Sequence, residues 1–130
     1  MKPEELMIGD LVMHGFGGIG KITEIDSKTV VIKDDGFDTG DGMNEVSFAL
    51  NEITPISLTD EILKKNFPST TDWYFIGTDK FCFRIDKHKD KWDLYFGRDG
   101  KGTNLQIKIS YVHELQHVMR LCGIDKEIEI

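Results

Sequence analysis

The stretch Gly20–Lys33, with the sequence GKITEIDSKTVVIK, decides the fold of the first half of the chain. Apolar and polar residues alternate over Lys21–Ile25, which is the pattern of a strand with one buried face. Thr29–Lys33 is rich in β-branched residues, which favour strands. The intervening Asp26–Lys28 is interpreted as a turn. The stretch therefore predicts two consecutive strands.

Further strand candidates lie on both sides of this stretch, at Leu6–Val12, Glu45–Phe48 and Glu52–Thr54. A glycine cluster at residues 15–20 can supply the positive φ angles of a tight turn. Gly-Asp and Gly-Lys dipeptides stand at residues 9–10 and 20–21, as is common in small barrels. About five short strands therefore predict an SH3-like small β-barrel over residues 1–56, and this similarity concerns the fold and not the function.

Residues 57–130 are expected to form a second, α+β subdomain. Thr59 is a suitable N-cap for a short helix, and Pro68 ends it. Alternating apolar residues then predict four antiparallel strands, at Trp73–Ile76, Lys80–Asp86, Lys91–Phe96 and Leu105–Ile109. The second and third of these are expected to form a hairpin around His88.

The C-terminal segment predicts a helix and an edge strand. The helix is expected to run from Tyr111 to Cys122, with Ser110 as its N-cap and Gly123 after its last turn. Glu127–Ile130 has the alternation of an edge strand, whose glutamates discourage edge-to-edge aggregation. The whole chain is therefore expected to be an α+β protein, in which an SH3-like barrel is followed by an antiparallel sheet packed by a C-terminal helix.

Composition excludes several classes of protein. The chain has 130 residues, 39% of them hydrophobic, and 13 glycines, which is close to a globular average and unlike a disordered or collagen-like chain. No apolar run is long enough to cross a membrane, and the N-terminal residues lack the apolar core of a secretory signal. Two cysteines, Cys82 and Cys122, suit a reducing compartment. We therefore expect a cytoplasmic protein with no membrane contact.

The formal charge of −7 is concentrated in the first half of the chain. Residues 1–65 hold 6 Lys and Arg against 13 Asp and Glu, whereas residues 66–130 hold 10 of each kind. Proteins that bind duplex DNA normally carry an excess of basic residues, because much of their affinity comes from neutralising phosphates. Duplex DNA is therefore not expected as a partner.

Residues 113–117, His-Glu-Leu-Gln-His, match the H-E-x-x-H motif of zinc proteases. In that motif two histidines bind the metal and the glutamate activates the bound water. On a helical wheel, however, His113 and His117 fall at about 200° and 240°, opposite the apolar arc of the same helix. Both histidines are thus expected to face solvent, and no third ligand has an obvious route to them. A zinc hydrolase with His113 and His117 as ligands and Glu114 as base stays an alternative.

An acidic, glycine-rich loop runs from Asp34 to Gly42. It resembles a calcium loop only superficially, because Gly36 and Thr39 stand where a ligand and the required glycine should be. Loops often carry function, so we interpret this one as a possible contact surface for a partner. Its candidate residues are Asp34, Asp35, Asp38 and Asp41.

The segment 80–101 has a local charge of +3, with seven Lys and Arg against four Asp, and aromatic residues lie between them. Proteins that bind single-stranded nucleic acids use this combination. Core packing explains the alternating phenylalanines better, and it leaves Tyr74, Arg84 and Tyr95 facing outward. A single-stranded nucleic-acid binder that acts through residues 80–101 is the second alternative. The candidate contact residues of this segment are Arg84, Lys87 and Lys89.

Several segments resemble a group of short, uncharacterised proteins encoded by Bacteroides-type gut bacteria and their phages or prophages. The matching segments are Glu5–Asp10, Gly20–Ile25, Pro55–Leu63, Tyr111–His117 and Gly123 with Glu127–Ile130. The group's pattern is Val-His-x-Leu-Gln, in which the position of His117 is often Asn and that of Glu114 varies. The resemblance therefore implies that the H-E-x-x-H match is an accident on a structural helix, and it carries no catalytic role to any residue.

The sequence thus favours a non-enzymatic accessory protein that binds another protein, and the resemblance implies that it serves a phage or mobile element. No cofactor, catalytic residue or structural metal is expected. The two alternatives differ from this hypothesis in what they require: bound zinc at the last helix, or nucleic acid at the basic segment.

Overall fold

A computed structural model of the chain describes residues 1–67, 74–77, 81–89, 91–98 and 101–130. The chain divides into two compact units, Met1–Ile56 and Ser57–Ile130, which are called unit 1 and unit 2 below. Each unit contains one antiparallel sheet, and unit 2 adds two α-helices, so the protein is a small α+β protein.

Unit 1 is a four-stranded antiparallel sheet in which each strand pairs with the next one along the chain. Its strands are β1 (Leu11–Met13), β2 (Ile19–Ile25), β3 (Thr29–Lys33) and β4 (Glu45–Ala49). A 3-10 helix, Pro3–Glu5, precedes the sheet, and a second one, Leu50–Glu52, follows it. After that helix, Thr54 forms an isolated antiparallel bridge with Met13 of β1.

The core of unit 1 comes from the alternation that the sequence shows. Val30 and Ile32 of β3 are buried, as are Ile22 of β2 and Phe48 of β4. Strands β2 and β3 approach closely at Gly20, where a Cβ atom would overlap the Ile32 side chain. The two predicted central strands are therefore confirmed, because the period of two puts one apolar face inside.

Three sequence predictions about unit 1 need correction. The first strand begins at Leu11 and not at Leu6, because Gly9 takes a φ of 92° and turns the chain. The expected strand Glu52–Thr54 contributes only the bridge at Thr54. Within unit 1, all of which is described, the four strands form one sheet and do not close into a barrel.

Unit 2 has a second four-stranded antiparallel meander and two helices. Its elements are α1 (Asp60–Asn66), β5 (Tyr74–Gly77), β6 (Phe81–His88), β7 (Lys91–Arg98), β8 (Lys101–Ile109) and α2 (Val112–Leu121). The hairpin expected around His88 is present, since β6 and β7 pair from Phe81–Arg98 to His88–Lys91. Trp73 and Lys80, which the sequence predicts at strand starts, lie outside the described residues.

Among the described side chains of unit 2, apolar residues of both helices and of the sheet are buried. They include Leu63 of α1, Ile85 of β6, Leu94 of β7, and Val112, Leu115 and Met119 of α2. Trp92 is buried as well, and its indole Nε1–H donates to the carbonyl of Leu58 at 2.9 Å. Among the described residues, no helix has the length and apolar character needed to span a membrane.

The ends of the two helices test the capping predictions. Thr59 caps α1, because its hydroxyl accepts from the backbone N–H of Ile62. Gly123 follows α2 with a φ of 70°, as expected for a helix end. Ser110 is not the N-cap of α2, however; that position belongs to Tyr111.

The predicted C-terminal edge strand is wrong. Residues 124–130 form no strand pairing, and the backbone of Glu129 is bound by a side chain instead. Asn66 of α1 donates to the Glu129 carbonyl at 2.7 Å and accepts from its N–H at 2.7 Å. An amide side chain thus supplies both of the backbone bonds that a neighbouring strand would otherwise supply.

Candidate interaction site

Four aromatic rings of unit 1 form a contiguous group, the aromatic cluster, made of His14, Phe16, Phe37 and Phe48. The His14 ring stacks on Phe48 with centroids 5.2 Å apart and lies 4.8 Å from Phe37. Phe16 meets Phe48 edge to face at 5.1 Å and Phe37 at 6.0 Å. These distances lie in the range in which aromatic pairs attract one another.

His14 holds the cluster together with two hydrogen bonds. Its Nδ1 accepts from the backbone N–H of Phe16 at 3.2 Å, and its Nε2 lies 2.7 Å from Oδ2 of Asp34. Because Nδ1 accepts from an N–H, the proton of the neutral ring is on Nε2, which donates to the carboxylate. Both ring nitrogens are therefore engaged, and the histidine acts as a structural link and not as a free base.

Asp34 connects the loop from Asp34 to Gly42 to His14. Its Oδ1 accepts from the N–H of Gly36 at 2.9 Å, and its carbonyl accepts from the N–H of Phe37 at 3.0 Å. The hydrogen bond from His14, followed by that from Gly36, holds the pKa of Asp34 below its usual value. Both oxygens of Asp34 take part in hydrogen bonds that favour the ionised carboxylate, so Asp34 carries a negative charge beside the aromatic cluster.

Gly18 makes room for the His14–Asp34 contact. A Cβ atom at this position would lie 2.8 Å from Nε2 of His14 and 2.9 Å from Oδ2 of Asp34. The glycine cluster that the sequence assigns to a turn therefore also permits a close approach between a turn and a loop.

Phe16 is the exposed member of the aromatic cluster. Its exposed fraction is 73%, whereas Phe48 and His14 are buried at 3% and 5%. The exposed ring is nevertheless held, because it contacts three other rings and its backbone N–H is bonded to His14. The arrangement presents an ordered aromatic surface to solvent.

Carboxylates lie on the segments that form this surface. Besides Asp34, the exposed Asp35 and Asp38 flank Phe37 in the chain, and the carboxylate of Glu52 lies beside the backbone of Gly15. Unit 1 as a whole has 4 Lys against 11 Asp and Glu, and this accounts for the charge of −7 of the chain. The aromatic cluster is therefore set in a negative field.

Asp41, the fourth acidic candidate of the loop, shapes the loop itself. Its Oδ1 accepts from the hydroxyl of Thr39 at 2.5 Å and from the N–H of Met43 at 2.9 Å, and these two bonds lower the pKa of Asp41. Asn44 follows in the left-handed region with a φ of 56°. Asp41 is thus placed to hold the turn and not the aromatic surface.

The basic candidates of unit 2 do not form one patch. Arg84 pairs with Tyr95 across β6 and β7, donates to Asp86 at 2.6 Å and lies 5.2 Å from the Tyr95 ring. Lys87 is on the other face of β6, since it is three residues along the strand. Lys89 lies in the turn after β6 with a φ of 58°. The structure therefore separates Arg84 from Lys87.

Lys87 and Lys89 instead line a groove of about 470 Å³ beside α1. The Nζ atom of Lys87 is 3.6 Å from Oδ2 of Asp60 and 5.7 Å from the Trp92 ring. Asp60 and Glu61 contribute carboxylates to the same groove. The groove has charges of both signs, so it offers no continuous basic track for a phosphate backbone.

Tyr74, expected to face outward, is buried with 6% exposure. Its hydroxyl donates to Oδ1 of Asp60 at 3.0 Å. Burial, followed by the contact with Asp60, raises the pKa of Tyr74. The prediction was wrong because Tyr74 pairs with Ile85 and shares the inner face of the sheet.

Only one of the two histidines of α2 is partly exposed to solvent, whereas the sequence analysis expected both to be exposed. His113 is buried at 5% exposure, whereas His117 is partly exposed, and their ring centroids are 5.5 Å apart. The outward orientation predicted for His113 is therefore wrong. The His113 ring stacks on Tyr111 with centroids 5.8 Å apart, and Gln116 is also buried, so the buried face of α2 is wider than the wheel indicates.

Glu114, the base of the zinc alternative, binds backbone instead. Its Oε1 accepts from the N–H groups of Ser110 and Tyr111, each at 3.0 Å. This is the role of an acidic residue in the first turn of a helix, where N–H groups lack partners. In the part of the chain that the structure describes, no group of three His, Cys, Asp or Glu residues is placed to hold a metal ion, at α2 or in the loop from Asp34 to Gly42.

Comparisons of the chain with protein-family models, curated proteins and solved structures gave no match. The interpretation of the site therefore depends on its own geometry.

Sequence reasoning missed His14, Phe16, Phe37 and Phe48 as one site. The four residues come from three separate segments of unit 1, and none of them belongs to a recognised motif. The available signal was Phe16, a large apolar residue between the glycines of a predicted turn.

Proposed function

We propose that the protein is a non-catalytic module that binds another protein, and that the aromatic cluster with its surrounding carboxylates is the contact surface. The observation that carries this proposal is Phe16, which is 73% exposed while its position is held by ring contacts and a hydrogen bond. Burying such a side chain against a partner is favourable by about 1.5–3 kcal/mol.

The order of the surface supports binding further. An aromatic ring that is already held in place loses little conformational entropy when a partner covers it. His14 is buried and Asp34 is partly exposed, and the hydrogen bond between them fixes the turn and the loop relative to each other. A rigid aromatic contact with a polar rim is the usual composition of a protein-binding surface.

We also propose a more specific fold for unit 1 than a four-stranded antiparallel sheet. We interpret unit 1 as an SH3-like fold, because a 3-10 helix follows β4 and Thr54 then pairs with Met13 of β1. That bridge is where a fifth strand would close the sheet. Unit 2 would then contribute the antiparallel sheet packed by α2.

The setting in which the protein acts follows from the sequence. The resemblance to proteins of gut bacteria and their phages supports an accessory role for a phage or mobile element. Two cysteines, which suit a reducing compartment, support a cytoplasmic location.

Site-specific photo-crosslinking tests the proposed function. The photo-crosslinker p-benzoylphenylalanine replaces Phe16 in one variant and Leu121, which is 87% exposed on unit 2, in the control. We expect a discrete protein adduct from position 16 that position 121 does not give. Adducts of equal yield at both positions, or adducts to nucleic acid alone, would contradict the proposal.

A further inference from the structure

We infer that the aromatic cluster recognises an arginine-containing cationic segment of a partner protein, an inference that rests on the proposed function. The partner's guanidinium would lie over the exposed face of Phe16, and the neighbouring carboxylates would balance its charge.

The field around Phe16 selects a cation. Asp34 is hydrogen-bonded to His14 of the cluster, and its contacts with His14 and Gly36 favour the negatively charged carboxylate. Asp35 and Asp38 lie on the same loop, and Glu52 lies beside Gly15. Unit 1 carries a net charge of −7, so a basic segment is attracted and an acidic one is repelled.

The exposed ring selects a cation that can also stack. Cations are attracted to the face of an aromatic ring when they lie within about 6 Å of its centroid. Arginine suits this surface better than lysine, since its planar guanidinium stacks on a ring and still donates from its edge to a carboxylate. The negative field that attracts arginine also opposes a nucleic acid, whose phosphates would be repelled.

Fluorescence anisotropy of the full chain with a labelled peptide of alternating arginine and glycine tests the inference. Two control peptides replace arginine by citrulline, which keeps the planar shape without the charge, or by glutamate. We expect binding of the arginine peptide, weaker binding at high ionic strength, and none of the control peptides at the same protein concentration.

Variants locate the binding to the surface. Phe16→Ala is expected to weaken binding about fivefold, and Phe16→Leu, which stays apolar, should weaken it as well because it lacks a π face. Asp38→Asn is expected to weaken it about threefold. Two control variants should bind the peptide as the wild type does. Glu24→Gln removes one negative charge, as Asp38→Asn does, but at the end of β2 that is farther along the chain from Phe16. Leu121→Ala removes an exposed apolar side chain of unit 2.

Several results would overturn the inference. These are equal affinity for the arginine and citrulline peptides, unchanged affinity in Phe16→Ala and Phe16→Leu, and tighter binding of a labelled oligothymidylate than of the arginine peptide. Sedimentation that shows self-association lost in Phe16→Ala would assign the surface to a second copy of the chain instead.

The peptide-binding and photo-crosslinking experiments together distinguish a wrong ligand assignment from a wrong proposed function. If position 16 still forms a specific protein adduct while the arginine peptide does not bind, the surface binds a protein of other chemistry. If neither experiment gives a signal at position 16, both statements are wrong.

Discussion

Replacing His14 by leucine tests the structural basis of the contact surface. Leucine preserves most of the apolar burial but removes both hydrogen bonds of the imidazole. The Phe16 N–H then loses its acceptor, and Oδ2 of Asp34 loses its donor. We expect unit 1 to be destabilised and the turn that carries Phe16 to become less ordered.

The magnitude follows from the two hydrogen bonds. A bond between neutral groups contributes about 0.5–1.5 kcal/mol, and one to a charged group about 1.5–3 kcal/mol. The second figure must be reduced, because the Asp34 side chain is 21% exposed and water can replace the lost donor. We therefore expect His14→Leu to lower the free energy of unfolding by about 1–3 kcal/mol.

The assay has to report on unit 1. Every tryptophan and tyrosine lies in residues 73–111, so their fluorescence reports on unit 2. Amide hydrogen exchange is suitable, and His14→Leu should speed exchange at Phe16 and Gly36 while protection in β7 is unchanged. Asp34→Asn keeps an acceptor and should have a smaller effect. Unchanged exchange at both amides in His14→Leu would refute the proposed link.

The pH dependence of the same variant has a defined sign. The hydrogen bond from His14 lowers the pKa of Asp34 in the folded protein. The resulting stabilisation is fully present above the ordinary pKa of an aspartate, about 3.9, and is lost as the pH falls through the lower folded value. The stability difference between wild type and His14→Leu should therefore narrow in acid. A difference that widens as the pH falls would contradict the assignment.

Three further predictions concern unit 2. Leu94→Ala should lower the free energy of unfolding by about 2–5 kcal/mol in a urea titration followed by tryptophan fluorescence, because Leu94 is fully buried. Tyr74→Phe should lower the free energy of unfolding by about 1 kcal/mol, and an ultraviolet titration should lose one tyrosine that ionises above the ordinary tyrosine pKa, since burial and Asp60 raise the pKa of Tyr74. Glu114→Ala should lower the free energy of unfolding by about 1 kcal/mol, measured by thermal unfolding, because the helix loses its cap. Stoichiometric zinc in the purified wild type that disappears in His117→Ala would instead support a metal site.

Local sequence patterns were sufficient for much of the secondary structure. The alternation in Thr29–Lys33 predicts a strand because a period of two puts Val30 and Ile32 on one face. Thr59 and Gly123 mark helix ends because a hydroxyl and a left-handed residue satisfy the groups that helix ends leave unpaired. These signals act over a few residues, so they can be read without the fold.

Pairing over longer distances decided the features that the sequence analysis missed. The predicted strand Glu127–Ile130 is absent because Asn66, 63 residues away from Glu129, binds its backbone. His113 and Gln116 are buried although they lie outside the apolar arc of α2. A helical wheel does not indicate this, because it contains no information about what packs on the helix.

The sequence by itself determined the two central strands of unit 1, the hairpin of β6 and β7, the helix ends at Thr59 and Gly123, and the acidic character of unit 1, since composition and short-range periodicity contain that information. Only the tertiary structure decided that His14 meets Asp34 and that Phe16 is held exposed above Phe48. The physical reason is that ring contacts and hydrogen bonds depend on side-chain direction in space, and residues from a turn, a loop and a strand become neighbours only once the sheet has formed.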